Sequence, residues 1–261
     1  MAEMLCDTER FESFLWDYGI SLPYPLHLGP VKEVGVHRSL ARRTRTASED
    51  EMHLMRTWGR SGGTLLMQLA RAVRSEMTTT YIYAMVGGVD SAQTRVTALS
   101  ITGDDSSILI AERPDGVFVA SLPWATVGST MVGLLPAATP LSMTPVAVRT
   151  DDFAEILHLH DQGASRRTVD RALGRLGMSP ELFWWIQDAA NQLTVNGFVG
   201  AARHDVHGRH LSELGIDFMA AEQGGLLRRI EGPRLSFESL TADAVIRALR
   251  DSAAGLGRYS R

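Results

Sequence analysis

Four runs between residues 78 and 121 decide the fold: TTTYIYAMVG (78–87), QTRVTALSIT (93–102), SSILIAER (106–113) and GVFVAS (116–121). Each is short, rich in β-branched and aromatic residues, and alternates with period two, which is the pattern of strands. The segments between them, GGVDSA (87–92), GDD (103–105) and RPDG (113–116), carry the glycine, aspartate and proline that tight turns need. Short turns leave neighbouring strands antiparallel. The stretch therefore predicts an antiparallel meander.

Working outward, PWATVGSTMVGLLP (123–136) reads as a short helix ended by Pro136, and MTPVAVRT (143–150) as one more strand. Upstream, Asp7 to Gly19 predicts a helix capped by Asp7 or Thr8, with Phe11, Phe14, Leu15 and Tyr18 on one side. SLPYPLHLGP (21–30) has prolines at positions 23 and 25, which force extended backbone, so it is a strap or an edge strand. Residues 37–76 hold a second helical region. SEDE (48–51) supplies an N-cap and first-turn acids, and Met52, Met55 and Trp58 continue one face until Gly59. Gly62-Gly63 is expected to break the helix before Leu65, Leu66, Leu69 and Val73 resume an apolar stripe.

Helices return over 151–191. Asp151 or Asp152 is expected to cap the first, Ser165 opens the second with Gly177 at its end, and Ser179-Pro180-Glu181 opens the third. TVNGFVGAARHD (194–205), HLSELGIDFMAAEQG (210–224), LLRRIEG (226–232) and RLSFES (234–239) read as strands, and TADAVIRALRDSA (241–253) as a last helix. The same order of helices, meander and short helix thus occurs twice, over 7–136 and 151–253. The expected fold class is α+β and pseudo-twofold, with a central antiparallel β-sheet flanked by helical bundles. Residues 1–253 would form one domain of two such halves, and 254–261 a loose tail.

The chain has 261 residues, 44% hydrophobic and 21% charged, an ordinary globular composition that excludes a collagen, a coiled coil or a wholly disordered chain. One cysteine, Cys6, excludes an intrachain disulfide and a cysteine-based zinc site. A net charge of −4 gives no global attraction to nucleic acid. The start, MAEMLCDTER, has acids where a secretory leader has basic residues. No apolar run reaches the ~20 residues of a bilayer span; the longest candidate, Trp124 to Leu141, is interrupted by Gly128, Gly133, Pro136 and Pro140. A cytoplasmic address with no membrane partner is expected.

Few residues offer chemistry. His204, His207 and His210 form an HxxHxxH run, but the run straddles a predicted hairpin turn, so solvated histidines are expected rather than a metal site. His158 and His160 point in different directions on a helix. No GxSxG and no GxxxxGK[ST] occurs. The pairs Asp104-Asp105 and Asp151-Asp152 sit at turns or helix starts. No catalytic residue, metal or cofactor is expected.

Two binding signals remain. ILHLHDQGASRRTVDRALGRLGM (156–178) has the form of a helix-turn-helix with arginines opening the second helix, the alternative being DNA binding. Against it, residues 101–155 carry seven acids and two arginines, whereas DNA binding needs a basic surface. The second signal is Trp184-Trp185. Adjacent helical positions differ by about 100°, so one ring can be core while the other stays near the surface. The plain reading is two partly buried core tryptophans; the functional one is a partner anchor, with Gln187 alongside.

WDYGISLPYPL (16–26), the strand series closed by WATVGSTMVGLLPAATP (124–140), NGFVGAARHDVHGRH (196–210) with its Gly-aromatic-x-Gly, and LGIDFMAAEQGGLLRR (214–229) together resemble the EspG family, chaperones of type VII (ESX) secretion in actinobacteria. The family's usual Gly-Arg-Tyr after Asp217 is absent, GRY lying instead at 257–259, and the N-terminus leaves no room for the leading strand many members have. The resemblance implies a cytosolic adaptor without enzymatic activity or cofactor. Such an adaptor covers the apolar tip of a helical PE–PPE-type client and keeps it soluble for export. It implies a client surface on the central sheet and the C-terminal helical bundle. Trp184, Trp185 and Gln187 are the expected contacts there, and the acidic turn at Asp104 and Asp105 is a second candidate for client choice. No nucleic-acid partner is expected; a homo-oligomer is left open.

Overall fold

The computed structural model describes residues 2–28, 47–74, 77–87, 93–102, 106–205 and 208–256. The chain divides into two compact units, 1–82 with 96–131 and 201–210, and 83–95 with 132–200 and 211–261.

In the first unit Ala2–Cys6 forms a strand, β1, where the sequence left no room for one. Five residues suffice: Ala2 to Cys6 pair antiparallel with Ser121 to Val117 of β5 (Gly116–Leu122). Helix α1 (Thr8–Tyr18) follows at once, because the Asp7 carboxylate accepts from the N–H of Glu9 and Arg10 at 2.9 and 3.2 Å. It ends on Gly19 in the left-handed conformation and buries Phe11, Phe14 and Leu15. The proline segment is a strap rather than a strand. A hydrogen bond of 2.9 Å from Leu22 N–H to the Leu28 carbonyl closes it, and Leu22, Leu26 and Leu28 go into the core.

Helix α2 (Ala47–Arg74) is kinked at Gly59, whose φ of 73° and ψ of 168° are non-helical, and not at Gly62-Gly63. Those glycines lie inside the second segment, Gly63 for a packing reason. A Cβ on Gly63 would come within 2.7–2.8 Å of the backbone of Leu54 and Met55, so this glycine lets the two helical segments fold closely together, whereas one on Gly62 would come no nearer than 3.4 Å to any atom. The inward residue of the first segment is Leu54, whereas Met52 is half-exposed. Helix α2 packs on β1, β4 (Ser107–Arg113) and β5. With β3 (Thr94–Thr102) and β2 (Met77–Val86), the strands of this unit run β1-β5-β4-β3-β2-β7, the predicted meander plus β1 and part of β7 (Val195–Asp205). Strand β8 (Gly208–Leu211) pairs with β7, and helix α3 (Trp124–Val132) follows β5.

The second unit holds the remaining parts of β2 and β7, then β9 (Gly215–Ala221), β10 (Gly224–Glu231), β11 (Arg234–Ser239) and β6 (Val146–Arg149), paired in that order. Helix α4 (Thr150–Asp161) begins one residue before the expected caps; Arg149 holds the N-cap position without a side-chain bond, and Asp151 and Asp152 sit in the first turn. Helices α5 (Arg166–Arg175) and α6 (Pro180–Ala189) start as predicted, with the hydroxyls of Ser165 and Ser179 accepting from Thr168 and Leu182 N–H. Helix α7 (Ala242–Leu256) runs three residues into the expected tail; 257–261 lie outside the described residues. The whole is an α+β fold built on a large antiparallel sheet with seven helices among the described residues.

Candidate functional site

Helices α4, α5 and α6 share one core with the sheet: Phe153, Ile156, Val169, Leu173, Leu182 and Phe183 from the helices, and Leu226, Leu235, Phe237 and Val148 from β10, β11 and β6. Phe153 joins the layers, its ring 6.2 Å from Phe183 and 5.5 Å from Phe237. Register places Phe237 beside Arg228 of β10, Arg228 beside Asp217 of β9, and Asp217 beside Phe198 of β7. These side chains share one face of the sheet, since cross-strand partners point the same way.

Along that row the cover changes. Phe237 is buried, whereas Arg228, Asp217 and Phe198 are half-buried. The Phe198 ring stacks on Tyr83 of β2 at 5.2 Å and 22°. Met85, two residues on from Tyr83, takes a hydrogen bond of 3.2 Å from the Tyr83 hydroxyl to its sulfur. Asn196 and Met219 pair in the next row, one exposed and one half-buried. The β2–β7–β9 part of this face is thus a half-open aromatic and methionine surface. At its edge Arg228 Nε donates to both Asp217 oxygens at 3.0 Å, and Nη2 lies 2.9 Å from Oδ2. A fork-to-carboxylate pair of this kind holds a fixed geometry.

Gly197 makes this face possible. A Cβ there would stand 2.3 Å from the Tyr83 carbonyl oxygen, 2.6 Å from the Phe218 ring and 2.9 Å from the Ala84 Cα. Glycine lets β2 and β7 approach, which brings Tyr83 and Phe198 into contact.

The predicted anchors lie on α6. Leu182 and Phe183 take its core positions, leaving both Trp184 and Trp185 half-buried against the core, as the plain reading of the pair has them. Trp184 is committed inside the bundle. Its indole N–H donates to Asp170 Oδ1 at 2.7 Å, Arg166 lies 4.8 Å above its ring, and His160 meets it edge-on at 5.5 Å. Trp185 packs on the shared core, and its indole N–H makes no hydrogen bond among the described residues. Gln187 is half-buried one turn from Trp184. Asp104 and Asp105 lie outside the described residues. At the start of α6 the Ser179 hydroxyl donates to Glu181, which holds that carboxyl below its ordinary range.

The residues missed by sequence reasoning are Tyr83, Met85, Phe198 and Met219. A signal existed: Tyr81, Tyr83 and Met85 alternate with Ile82 and Ala84, so one face of β2 is aromatic and the other aliphatic. Of the histidine run, His204 Nε2 lies 3.3 Å from the Thr79 hydroxyl and His210 Nε2 lies 3.1 Å from Asp205; His207 is outside the described residues. The predicted helix-turn-helix is α4 and α5. Asp151 and Glu155 are exposed on its first helix. Among the described residues no helix is long and apolar enough to cross a membrane.

No protein-family model matches the chain. No curated protein matches it. Among solved structures it is similar to the Mycobacterium tuberculosis type VII secretion system chaperone EspG5, solved in complex with the PE25–PPE41 dimer. The TM-score is 0.68 over 96% of each chain, at 12% identity. This chain has the EspG fold.

Proposed function

We propose that the chain is an EspG-type chaperone of type VII secretion that binds a PE–PPE-type helical dimer in the cytosol and keeps it soluble for export. The observation that carries this reading is the likeness to EspG5 along nearly all of both chains, EspG5 having been solved with a PE–PPE dimer. The half-open face of Tyr83, Phe198, Met85 and Met219, with Trp185 on the adjoining bundle, supports it. Aromatic rings and methionines adapt to an apolar helical tip, and the Arg228–Asp217 pair supplies a polar rim. The role is binding and requires no catalytic group.

DNA binding through α4 and α5 is the weaker reading. Arg166 at the start of α5 is stacked on Trp184, and the acids of α4 would face the phosphates that a helix-turn-helix straddles. Co-expression with PE–PPE pairs from the same genome, followed by gel filtration, tests the proposal. A co-eluting ternary complex is expected. Failure of every pair to co-elute would overturn it.

A further inference from the structure

Helix α5 carries four arginines and one acid, on a chain whose net charge is −4. Asp170 accepts from Trp184, and Arg166 covers the same ring. The other three, Arg167, Arg171 and Arg175, recur every fourth residue, are exposed, and make no ion pair among the described residues. Elsewhere in this unit Arg149, Arg228, Arg229 and Arg247 reach carboxylates; Arg234 and Arg250 are also exposed without one among the described residues, but singly rather than in a row. Val169 and Leu173 are the buried side of α5, so the three arginines form a stripe opposite the core, about 12 Å long. Like charges four apart weaken a helix, and only Arg175, in the last turn, gains from the helix dipole, so the fold does not account for the whole stripe.

Gly174 adds an independent observation. It is exposed within α5 beside the stripe, and a Cβ there would meet nothing within 4 Å. Glycine in a helix costs stability relative to alanine, and among the described residues no neighbour requires it at this place in the last turn. A missing side chain lets another backbone come close.

We infer that the Arg167–Arg171–Arg175 stripe, with Gly174 beside it, docks an acidic α-helix of a partner protein. A helix with carboxylates every fourth residue has the same pitch and presents its charges in register with the arginines. The exposed acids Asp151, Glu155 and Asp161 on α4 repel phosphates and carboxylates alike, so the choice of a helix over a nucleic acid rests on the matched pitch and on the close approach that Gly174 allows. The inference stands on α5 alone and does not require the client to be a PE–PPE pair.

The test is fluorescence anisotropy with the full chain and three labelled probes: an alanine-based helical peptide with glutamate at every fourth position, its lysine counterpart, and a short DNA duplex. The glutamate peptide should bind, more weakly in high salt, and the lysine peptide should not. R167Q/R171Q/R175Q should lose about tenfold or more in affinity with its circular dichroism unchanged. Gly174→Ala, which adds a good helix former to an open site, should keep or raise the melting temperature while weakening the peptide by several-fold. Equal peptide affinity in wild type and the triple variant, or tighter binding of the duplex than of the peptide, would overturn the inference.

Discussion

Replacing Phe198 with alanine separates a structural from a client-binding role for the half-open face. The ring stacks on Tyr83 at 5.2 Å and is half-buried. Losing the aromatic pair costs about 0.5–1.5 kcal/mol. Losing half of a phenylalanine's burial costs about 1 kcal/mol more. The folded state should lose about 2 kcal/mol in all, which lowers the melting temperature of a chain this size by roughly 4–8 °C. If Phe198 also contacts the client, affinity should fall by a further measurable amount. A central aromatic anchor contributes about 2 kcal/mol, or roughly thirtyfold in Kd. Isothermal titration of a purified PE–PPE dimer, run well below both melting temperatures, reads the second effect without the first. A melting temperature that falls while Kd stays within about twofold would refute the placement of the client on this face.

Other outcomes follow from the same geometry. Gly197→Ala forces a Cβ into the Tyr83 carbonyl at 2.3 Å; overpacking of this kind costs about 1–3 kcal/mol, and a urea midpoint equal to wild type would contradict it. Trp185→Ala should weaken client binding more than Asp105→Ala, with circular dichroism intact, because central aromatic anchors contribute more than rim charges; unchanged titrations for both would move the surface elsewhere. Burial raises the Cys6 thiol from 9.0 to about 11. The neutral form is favoured on folding, so this contribution to stability is present below pH 9 and is lost as pH rises through about 11. Rapid modification of native protein by a thiol reagent at pH 8 would show that the thiol is not held in this way.

Sequence reading went furthest where the signal is local. Asp7, Ser165 and Ser179 cap the helices expected of them, and the β3–β4–β5 meander follows its turns. It failed where packing decides. Gly62-Gly63 resembled a break, but Gly63 serves a close helix contact, and only Gly59 carries the non-helical backbone. Strand β1 escaped notice because its partner β5 lies more than a hundred residues away. The site was half legible. The sheet and bundle were expected as the region, and Trp185 packs there half-buried. Trp184 differs because Asp170 and Arg166, both on α5, claim its N–H and its ring. Tyr83 and Phe198 were passed over because their stacking depends on the pairing of β2 with β7, set by Gly197 at the crossing.

Oxidative footprinting of the purified complex tests the central claim most directly, since methionine and aromatic side chains on the proposed surface report their own exposure. Met85, Met219, Phe198, Tyr83 and Trp185 should oxidise in the free protein and be protected in the presence of a PE–PPE dimer. Met52, Trp16 and Trp124, which are 50%, 54% and 54% exposed and lie in the other unit, should oxidise equally in both states. Unchanged oxidation of Met85, Phe198 and Met219 in a stable complex would contradict the account.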